Sequence, residues 1–537
     1  MRISHKSRLA TLVGAAALVV ASLSAIPAHA AAVGPICDAK VPVQTCQGTT
    51  SDGAPYVMMV PANFNGMVAL YSHGYRYNID IPAGIPVVGG YKVTNTPEPI
   101  PGGNPTVANY FLSQGIAVMG SGFARQGWNL DSAIATNAEL IDTFKKKFTT
   151  TTKVVAWGSS LGGIITQTLA EKYPNLVNAV APMCMADNIS AELATAGDFL
   201  WGLKTFFDPT IKGGNYSAGA AGNAEALGDI VKVLTVMSKL QAGVATGAWP
   251  DTSSQTGKAL QAAGIPSRSA LLLVGLMSGL PTQSAHFDSV SGPEGALKLS
   301  FPLAVSPALA VLENGANAAI LAILATQDVE LQAGGSVFDN TATDYSARVA
   351  DSRDIYNAAL SGNTALDAML GVLKMSPRAK ATASLSKLAA TTGKINVPTV
   401  FMTGVADPVT PAGATQRILD KYATQFEAEK EAAKKASYNG GAYIPAKSKV
   451  LTLWSVTPKA WTKYDAAGKP VALKNTPGTG HCTFTTANLL TAAKFATDAA
   501  NNGGITWNAA AMSAVRKSKG LLVDPDFRAP LLKFYGE

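Results

Sequence analysis

The chain has 537 residues, of which 43 are lysine or arginine and 35 are aspartate or glutamate, so its formal net charge is +8. Three of the basic residues and none of the acidic ones lie in residues 1–30, which leaves 40 basic against 35 acidic residues, a net charge of +5. So mild a charge on so long a chain argues against a nucleic-acid partner.

The N-terminus has the pattern of a secretory signal peptide. Three basic residues precede an apolar run at residues 9–23, and the small residues Ala28 and Ala30 mark a cleavage site. We predict export, to the periplasm or the medium, with cleavage after Ala30 and no membrane anchor afterwards. A retained anchor is the alternative, which the shortness of the apolar run disfavours.

The residues after this segment are too numerous for one compact core, so we expect a catalytic domain with a large insertion. Two later apolar stretches are not predicted to span a membrane. Residues 270–280 are too few, and residues 303–326 are interrupted by Pro307, Glu313 and Asn314.

Four cysteines remain in the exported chain, namely Cys37, Cys46, Cys184 and Cys482. An even number in an exported protein predicts two disulfides, for which three pairings are possible. Cys37 with Cys46 would close a small N-terminal loop and leave Cys184 for Cys482. The alternative is that Cys184 is a free, buried small hydrophobic residue.

The first apolar segments of the chain have the length of buried strands. Met67 to Tyr71 is followed by His73 and Gly74, and Ile116 to Met119 is followed by a loop that contains aromatic residues. An amphipathic helix is predicted from Ser132 to Phe148. The order of strand, helix and strand here and in the next segments indicates parallel βαβ units.

The sequence KVVAWGSSLGG, residues 153–163, predicts a nucleophile elbow. Apolar residues 154–157 form a strand, an amphipathic segment follows from Ile164, and the turn between them contains Ser160. Such a turn holds its serine in a strained conformation, so the flanking Gly158 and Gly162 must be nearly free of side chains. Ser160 is therefore the candidate nucleophile.

The pattern of strands stops after Leu176 to Cys184 and returns at Val397 to Gly404. About 210 mainly helical residues lie between, with no fixed internal repeat. The returning strand is followed at once by Asp407, and a last strand covers Lys449 to Val456. Of the three histidines that remain after signal removal, only His481 lies in a loop beyond that last strand.

These motifs resemble the α/β-hydrolase superfamily, at the level of a secreted bacterial carboxylesterase or lipase, over residues 67–184 and 397–499. The resemblance implies a mostly parallel sheet flanked by helices, with a large, mainly helical cap inserted before the strand that carries the acid. The core would then comprise residues 31–184 and 397–537, and the cap residues 185–396. A separate domain unrelated to the site is the alternative for the inserted block.

The resemblance also assigns the chemistry. Ser160 is implied as the nucleophile, His481 as the base and Asp407 as the acid, in the chain order that α/β-hydrolases show. Asp187 is the alternative acid, because some members carry it after the preceding strand. The backbone N–H groups of Leu161 and of Tyr75 or Gly74 would form the oxyanion hole.

The loop after residues 116–119 borders the active site in this architecture. Phe123 and Trp128 are thus candidates for an acyl pocket, although packing within a surface loop is an equal alternative. Arg125 beside them would be the first candidate to anchor a substrate carboxylate if the enzyme cleaved peptides.

Cys482, directly after His481, is similar to the arrangement in tannases and feruloyl esterases, where a disulfide joins cysteines adjacent to the nucleophile and the histidine. Ser159 stands where that group has the other cysteine, so its signature is incomplete. Cys184, at the end of the neighbouring strand, could supply a different tether with a similar effect.

The sequence thus predicts a serine hydrolase that cleaves carboxylic esters of a largely uncharged small or polymeric substrate through an acyl-enzyme. A peptidase or amidase on the same fold is the first alternative, and a binding protein without catalysis is the second. No cofactor or metal is expected, because no Cys/His cluster has ligand spacing and no dinucleotide fingerprint is present.

Overall fold

The computed structural model of the chain describes residues 32–38, 42–244, 246–289, 302–358, 362–438, 445–463, 465, 471 and 476–531. The predicted signal peptide, residues 1–30, lies outside the described residues.

Within these residues, ten strands form one sheet in the order β1-β2-β3-β5-β4-β6-β7-β8-β9-β10. Their bounds are β1 Val33–Cys37, β2 Val43–Thr49, β3 Pro55–Pro61, β4 Met67–Ser72, β5 Ala117–Ser121, β6 Lys153–Ser159, β7 Ala179–Met183, β8 Thr399–Gly404, β9 Val450–Ser455 and β10 Leu521–Leu522. Strands β5, β4, β6, β7, β8 and β9 are parallel neighbours. The strands β1 to β3 add an antiparallel edge on one side, and β10 adds one on the other.

Fourteen α-helices accompany the sheet in the described residues. Their bounds are α1 Pro105–Ser113, α2 Leu130–Lys147, α3 Leu161–Lys172, α4 Ile189–Phe206, α5 Gly219–Gly243, α6 Gln255–Ala262, α7 Ser267–Ser278, α8 Pro302–Ala333, α9 Tyr345–Arg348, α10 Arg353–Ala358, α11 Gly362–Met375, α12 Ala412–Tyr438, α13 Thr486–Asn502 and α14 Ala509–Lys517.

The central strands are buried on both faces, because helices cover both sides of the sheet. Every residue of β4, β5, β7 and β8 is buried, which explains why these strands are continuous apolar runs rather than alternating ones. Successive residues of β6 contribute to opposite cores: Val154 packs with α2 and α3, whereas Val155 packs with α1 and α13.

Helices α4 to α11 lie in the connection between β7 and β8, which are adjacent strands of the sheet. Helices α4, α5, α7 and α8 pack against one another and share a separate hydrophobic core. The observed architecture is the predicted α/β-hydrolase fold with a large helical insertion before the strand that precedes Asp407.

The length and composition of helix α8 meet the criteria for a membrane span, although the sequence predicts no such segment after the signal peptide. Among the described residues, one helical segment, Pro307–Ala333, is long enough and apolar enough to span a membrane. In its most apolar window, 56% of the residues are buried inside the protein. It packs against α4, α5 and α7, so its apolar residues supply the core of the insertion. A buried core helix meets the same criteria of length and composition as a membrane span.

Candidate active site

Ser160 occupies the turn between β6 and α3 with φ 60° and ψ −125°, a strained conformation for a residue with a side chain. The two flanking glycines are required by close backbone contacts. A Cβ at Gly158 would stand 2.3 Å from the carbonyl oxygen of Gly162, and a Cβ at Gly162 would stand 2.0 Å from that of Ser72. The backbone N–H of Ser160 donates to the Met183 carbonyl of β7, which fixes the turn to the sheet.

The structure brings Ser160, His481 and Asp407 together. The Nε2 atom of His481 lies 2.8 Å from the Ser160 Oγ, and its Nδ1 lies 3.0 Å from each carboxylate oxygen of Asp407. Residues separated by more than 300 positions in the chain thus form one continuous hydrogen-bonded relay, in the geometry of a nucleophile, a base and an orienting acid.

Asp407 is held by several donors besides His481. It is buried and accepts hydrogen bonds from the backbone N–H groups of Val409, Thr410 and Cys482. The hydroxyl of Thr410 lies 3.2 Å from the same carboxylate and donates to the carbonyl of Cys184 at 2.7 Å. These contacts fix the carboxylate so that it faces the imidazole.

Asp187, the alternative acid, has other partners. Its buried carboxylate forms a two-point ion pair with Arg417 of α12, and one of its oxygens also accepts from the Asn188 side chain. A bidentate pair of this kind holds the carboxylate on the guanidinium. His286, in the insertion, likewise bonds to Glu313 at 2.8 Å.

His73 directly follows β4, and its Nδ1 is 2.7 Å from the carbonyl oxygen of Gly74. Burial, followed by the positive charge of Arg76, lowers the pKa of His73 to about 4. The ring is therefore neutral near pH 7, and its Nδ1–H donates to Gly74. His73 thus fixes the backbone at the end of β4 and leaves the base role to His481.

Gly74 and Leu161, two of the residues that the resemblance assigns to an oxyanion hole, lie beside Ser160. A Cβ at Gly74 would stand 3.2 Å from the Cβ of Ser160, so Gly74 allows the chain to pass directly beside the nucleophile. Leu161 is the first residue of α3, and the first N–H groups of a helix have no acceptor within it. The choice between Gly74 and Tyr75 for the second donor stays a prediction.

Ser160 opens onto a cavity between the sheet and the insertion. The core contributes Tyr75, Trp128 and Leu161, and the loop after Asp407 contributes residues 408–410. Helices α4 and α8 supply most of the remaining wall, which is largely apolar. Its residues from these helices are Ile189, Glu192, Leu193, Thr195, Ala196, Phe199, Ala318, Leu321, Ala322 and Ala325.

The three residues proposed for the pocket have different positions. Trp128 lines the cavity, whereas Phe123 and Arg125 do not. Phe123 is buried against the His73 ring, with ring centroids 4.7 Å apart. Arg125 forms an ion pair with Asp328 of α8 and donates to the Trp128 carbonyl. Phe123 and Arg125 thus support the neighbouring backbone instead of facing the substrate.

Sequence reasoning did not single out Glu192 or the side chain of Tyr75, which both line the cavity. Glu192 lies in the first turn of α4, where an acidic residue is ordinarily explained by the helix dipole, so the sequence carries no signal for its position. Burial, with the charges of Asp187 and Asp407, raises the pKa of Glu192 well above its usual value.

The four cysteines are paired as Cys37–Cys46 and Cys184–Cys482, the leading prediction from the sequence. The second disulfide joins the end of β7 to the residue after His481. Asp407, His481 and Cys482 are close enough together to suggest a metal site. However, the Cys482 sulfur is in the disulfide and His481 bonds to both Asp407 and Ser160, so these groups already have partners.

No protein-family model matches the chain, and no curated protein sequence matches it. Solved structures of esterases are similar to it. Feruloyl esterase B from Aspergillus oryzae is 12% identical over 90% of this chain and 89% of that chain, with a TM-score of 0.36. The rice cell wall degrading esterase LipA from Xanthomonas oryzae is 11% identical over 80% of this chain and 92% of that chain, with a TM-score of 0.29. A further Aspergillus oryzae esterase is 12% identical over 77% of this chain and 72% of that chain, with a TM-score of 0.33.

Proposed function

We propose that the chain is an exported hydrolase that cleaves carboxylic esters through Ser160, His481 and Asp407. The observation that carries the proposal is the relay from Asp407 through His481 to the Ser160 Oγ, which ends at the wall of a largely apolar cavity. The core would comprise residues 31–184 and 397–537, and residues 185–396 would form a cap over the site.

In this mechanism the neutral His481 takes the Ser160 proton on Nε2 as Oγ attacks the ester carbonyl. Asp407 accepts from Nδ1–H throughout, so it fixes the tautomer and stabilises the imidazolium. The backbone N–H of Leu161, with that of Tyr75 or Gly74, would stabilise the developing oxyanion. His481 then protonates the departing alcohol. Water, activated by the same imidazole, releases the acid from Ser160.

The wall of the cavity favours an uncharged ester. Arg125, the first candidate to anchor a substrate carboxylate in a peptidase, is paired with Asp328 and lies outside the cavity. The two disulfides accord with export, because disulfides persist in oxidising compartments. N-terminal sequencing of protein recovered outside the cytoplasm tests the predicted cleavage after Ala30.

Labelling with a fluorophosphonate probe tests the central assignment. The purified protein should be labelled and Ser160→Ala should not, whereas Ser159→Ala, the adjacent matched control, should still be labelled. Protein that has not been treated with the probe should hydrolyse short or medium acyl esters at least about tenfold faster than aminoacyl anilides, about 1.4 kcal/mol in transition-state stabilisation. Labelling that survives in Ser160→Ala contradicts the proposed nucleophile, and equal cleavage of anilides contradicts the ester preference.

A further inference from the structure

Three side chains in the wall of the cavity have buried polar atoms without a hydrogen-bond partner. They are the Tyr75 hydroxyl, the Trp128 Nε1 and the Glu192 Oε1. Tyr75 and Trp128 belong to the core and Glu192 belongs to the insertion, so separate parts of the fold contribute the three atoms to one cavity.

Unpartnered polar atoms in a protein interior reduce stability, because each loses its hydrogen bonds to water without replacing them. In a cavity that also exposes the nucleophile, a bound ligand can replace those bonds. Most of the neighbouring wall consists of alanine, leucine and isoleucine, which offer no hydrogen bonds. Besides the hydroxyls of Thr195 and Thr410, the three polar atoms are the groups of the wall beyond Ser160 that can distinguish one ester from another by hydrogen bonding.

The chemistry of the three groups indicates what they bind. The indole N–H of Trp128 only donates, and the Tyr75 hydroxyl donates readily to an oxygen acceptor. Burial raises the pKa of Glu192 well above its usual value, and the negative charges of Asp187 and Asp407 raise it further, while the Asp187 N–H opposes the rise. The raised pKa favours the protonated form of Glu192, which both donates and accepts hydrogen bonds.

We propose that this cavity selects esters that carry a second, uncharged oxygen function, a hydroxyl or a carbonyl, which hydrogen-bonds to Glu192 together with Tyr75 or Trp128. The inference rests on the proposed ester hydrolase function and adds the substrate class. A site built to hydrogen-bond a polar group discriminates strongly against an analogue that lacks it, because the groups of the site are then left unpaired.

A charged ligand fits the same wall less well. An anionic group would approach the carboxylate of Asp407 in a site of low polarity. A cationic group would require Glu192 to be ionised beside Asp187 and Asp407. A neutral oxygen function can bond to Glu192 and to one of the other two polar atoms without bringing a charge out of water.

Hydrolysis of two matched ester series tests the proposal. Methyl heptanoate and heptyl acetate are the hydrocarbon references, and each is compared with versions that carry a ketone or a hydroxyl at successive internal carbons, C3 to C6, of the seven-carbon chain. We expect at least one oxygenated ester to exceed its reference in kcat/KM by about tenfold or more. If no oxygenated ester exceeds its reference, the proposal is wrong.

Variants at Glu192 then assign the preference to the site. Glu192→Leu should abolish the preference, so that the variant hydrolyses the oxygenated esters no faster than the hydrocarbon references, and Glu192→Gln, which keeps a neutral donor and acceptor, should retain it. Tyr75→Phe serves as a second test if the leucine variant does not fold, and it should weaken the preference. Glu225→Gln, in α5 and outside this cavity, is the matched control. A preference that Glu192→Leu leaves intact, or that Glu192→Gln removes, overturns the proposal.

The outcome for the reference esters separates this inference from the proposed function. If Ser160→Ala still hydrolyses methyl heptanoate, the ester hydrolase mechanism itself fails. If Ser160→Ala is inactive but the oxygenated esters have no advantage, only the proposed substrate class fails.

Discussion

Asp328 of the insertion accepts a 2.7 Å hydrogen bond from the backbone N–H of Trp128 in the core. The same fully buried carboxylate also binds the side chains of Asn78, Arg125 and Gln332. The backbone at Gly127 also approaches this carboxylate closely, because a Cβ at that position would stand 2.4 Å from an Asp328 oxygen. One carboxylate on α8 therefore fixes the loop that contributes Trp128 to the wall of the cavity.

Asp328→Ala should destabilise the protein by at least about 2 kcal/mol, because it leaves several donors unpaired, the buried N–H of Trp128 among them. It should also raise KM, since Trp128 loses its anchor. Thermal unfolding and ester kinetics check both effects. Asp251→Ala, which removes an exposed carboxylate that pairs with Lys239 in the insertion, is the matched control and should leave both quantities nearly unchanged. Equal effects of the two variants would contradict the anchoring role.

Asp407→Asn should reduce kcat by about 10⁴-fold, because the amide cannot hold the His481 tautomer that accepts the Ser160 proton. Asp187→Asn is the matched control, since Asp187 pairs with Arg417 instead. That variant should lower the thermal unfolding temperature but keep kcat within about threefold, less than 1 kcal/mol. If Asp187→Asn is the less active of the two, the assignment of the acid is wrong.

Loss of the Cys184–Cys482 disulfide should cost more stability than loss of Cys37–Cys46. The sequence separations are 298 and 9 residues, so the chain-entropy relation gives a difference of about 3 kcal/mol. Double serine variants of each pair, compared by denaturant unfolding, measure it. Activity should fall only in the Cys184/Cys482 variant, because that bridge positions His481. A larger effect of the N-terminal pair would refute this expectation.

The stability of the protein should depend on pH through Glu192. Its folded-state pKa lies well above the ordinary value of 4.5, so the folded state retains a proton that the unfolded state has lost. The stabilisation is complete below the unfolded pKa and is lost as pH rises towards the folded pKa, by up to about 1.4 kcal/mol per pH unit. Glu192→Gln should therefore gain stability relative to the parent protein as pH rises above the ordinary carboxyl value of 4.5. A difference that is constant across this range would show that Glu192 does not titrate there.

Gly162→Ala should destabilise the protein by more than about 2 kcal/mol, because the added Cβ would stand 2.0 Å from the Ser72 carbonyl oxygen. Gly371→Ala in α11 is the matched control, since no heavy atom lies within 4 Å of its added Cβ. The free energy of unfolding of that variant should rise by up to about 1 kcal/mol, because alanine has a higher helix propensity than glycine. Denaturant unfolding compares the two. Tolerance of Gly162→Ala would mean that α3 can move away from β4.

The sequence by itself determined the features that depend on neighbouring residues. The strand, turn and helix around Ser160 can be recognised locally because the strained turn needs Gly158 and Gly162 on either side of it. Likewise, buried parallel strands such as β4 and β8 are visible as apolar runs. His481 could be selected because so few histidines occur in the chain.

Contacts between distant segments were decided only by the tertiary structure. Asp187 and Asp407 each follow a core strand, but their partners differ. Asp187 pairs with Arg417 of α12, whereas Asp407 pairs with His481. Trp128 faces the cavity because Asp328 of α8 holds its backbone. Glu192 resembles an ordinary residue in the first turn of a helix, and only the packing of α4 over Ser160 buries its carboxyl in an apolar cavity. Burial and partners change the chemistry of a side chain, and in these cases they are set by residues from other elements of the fold.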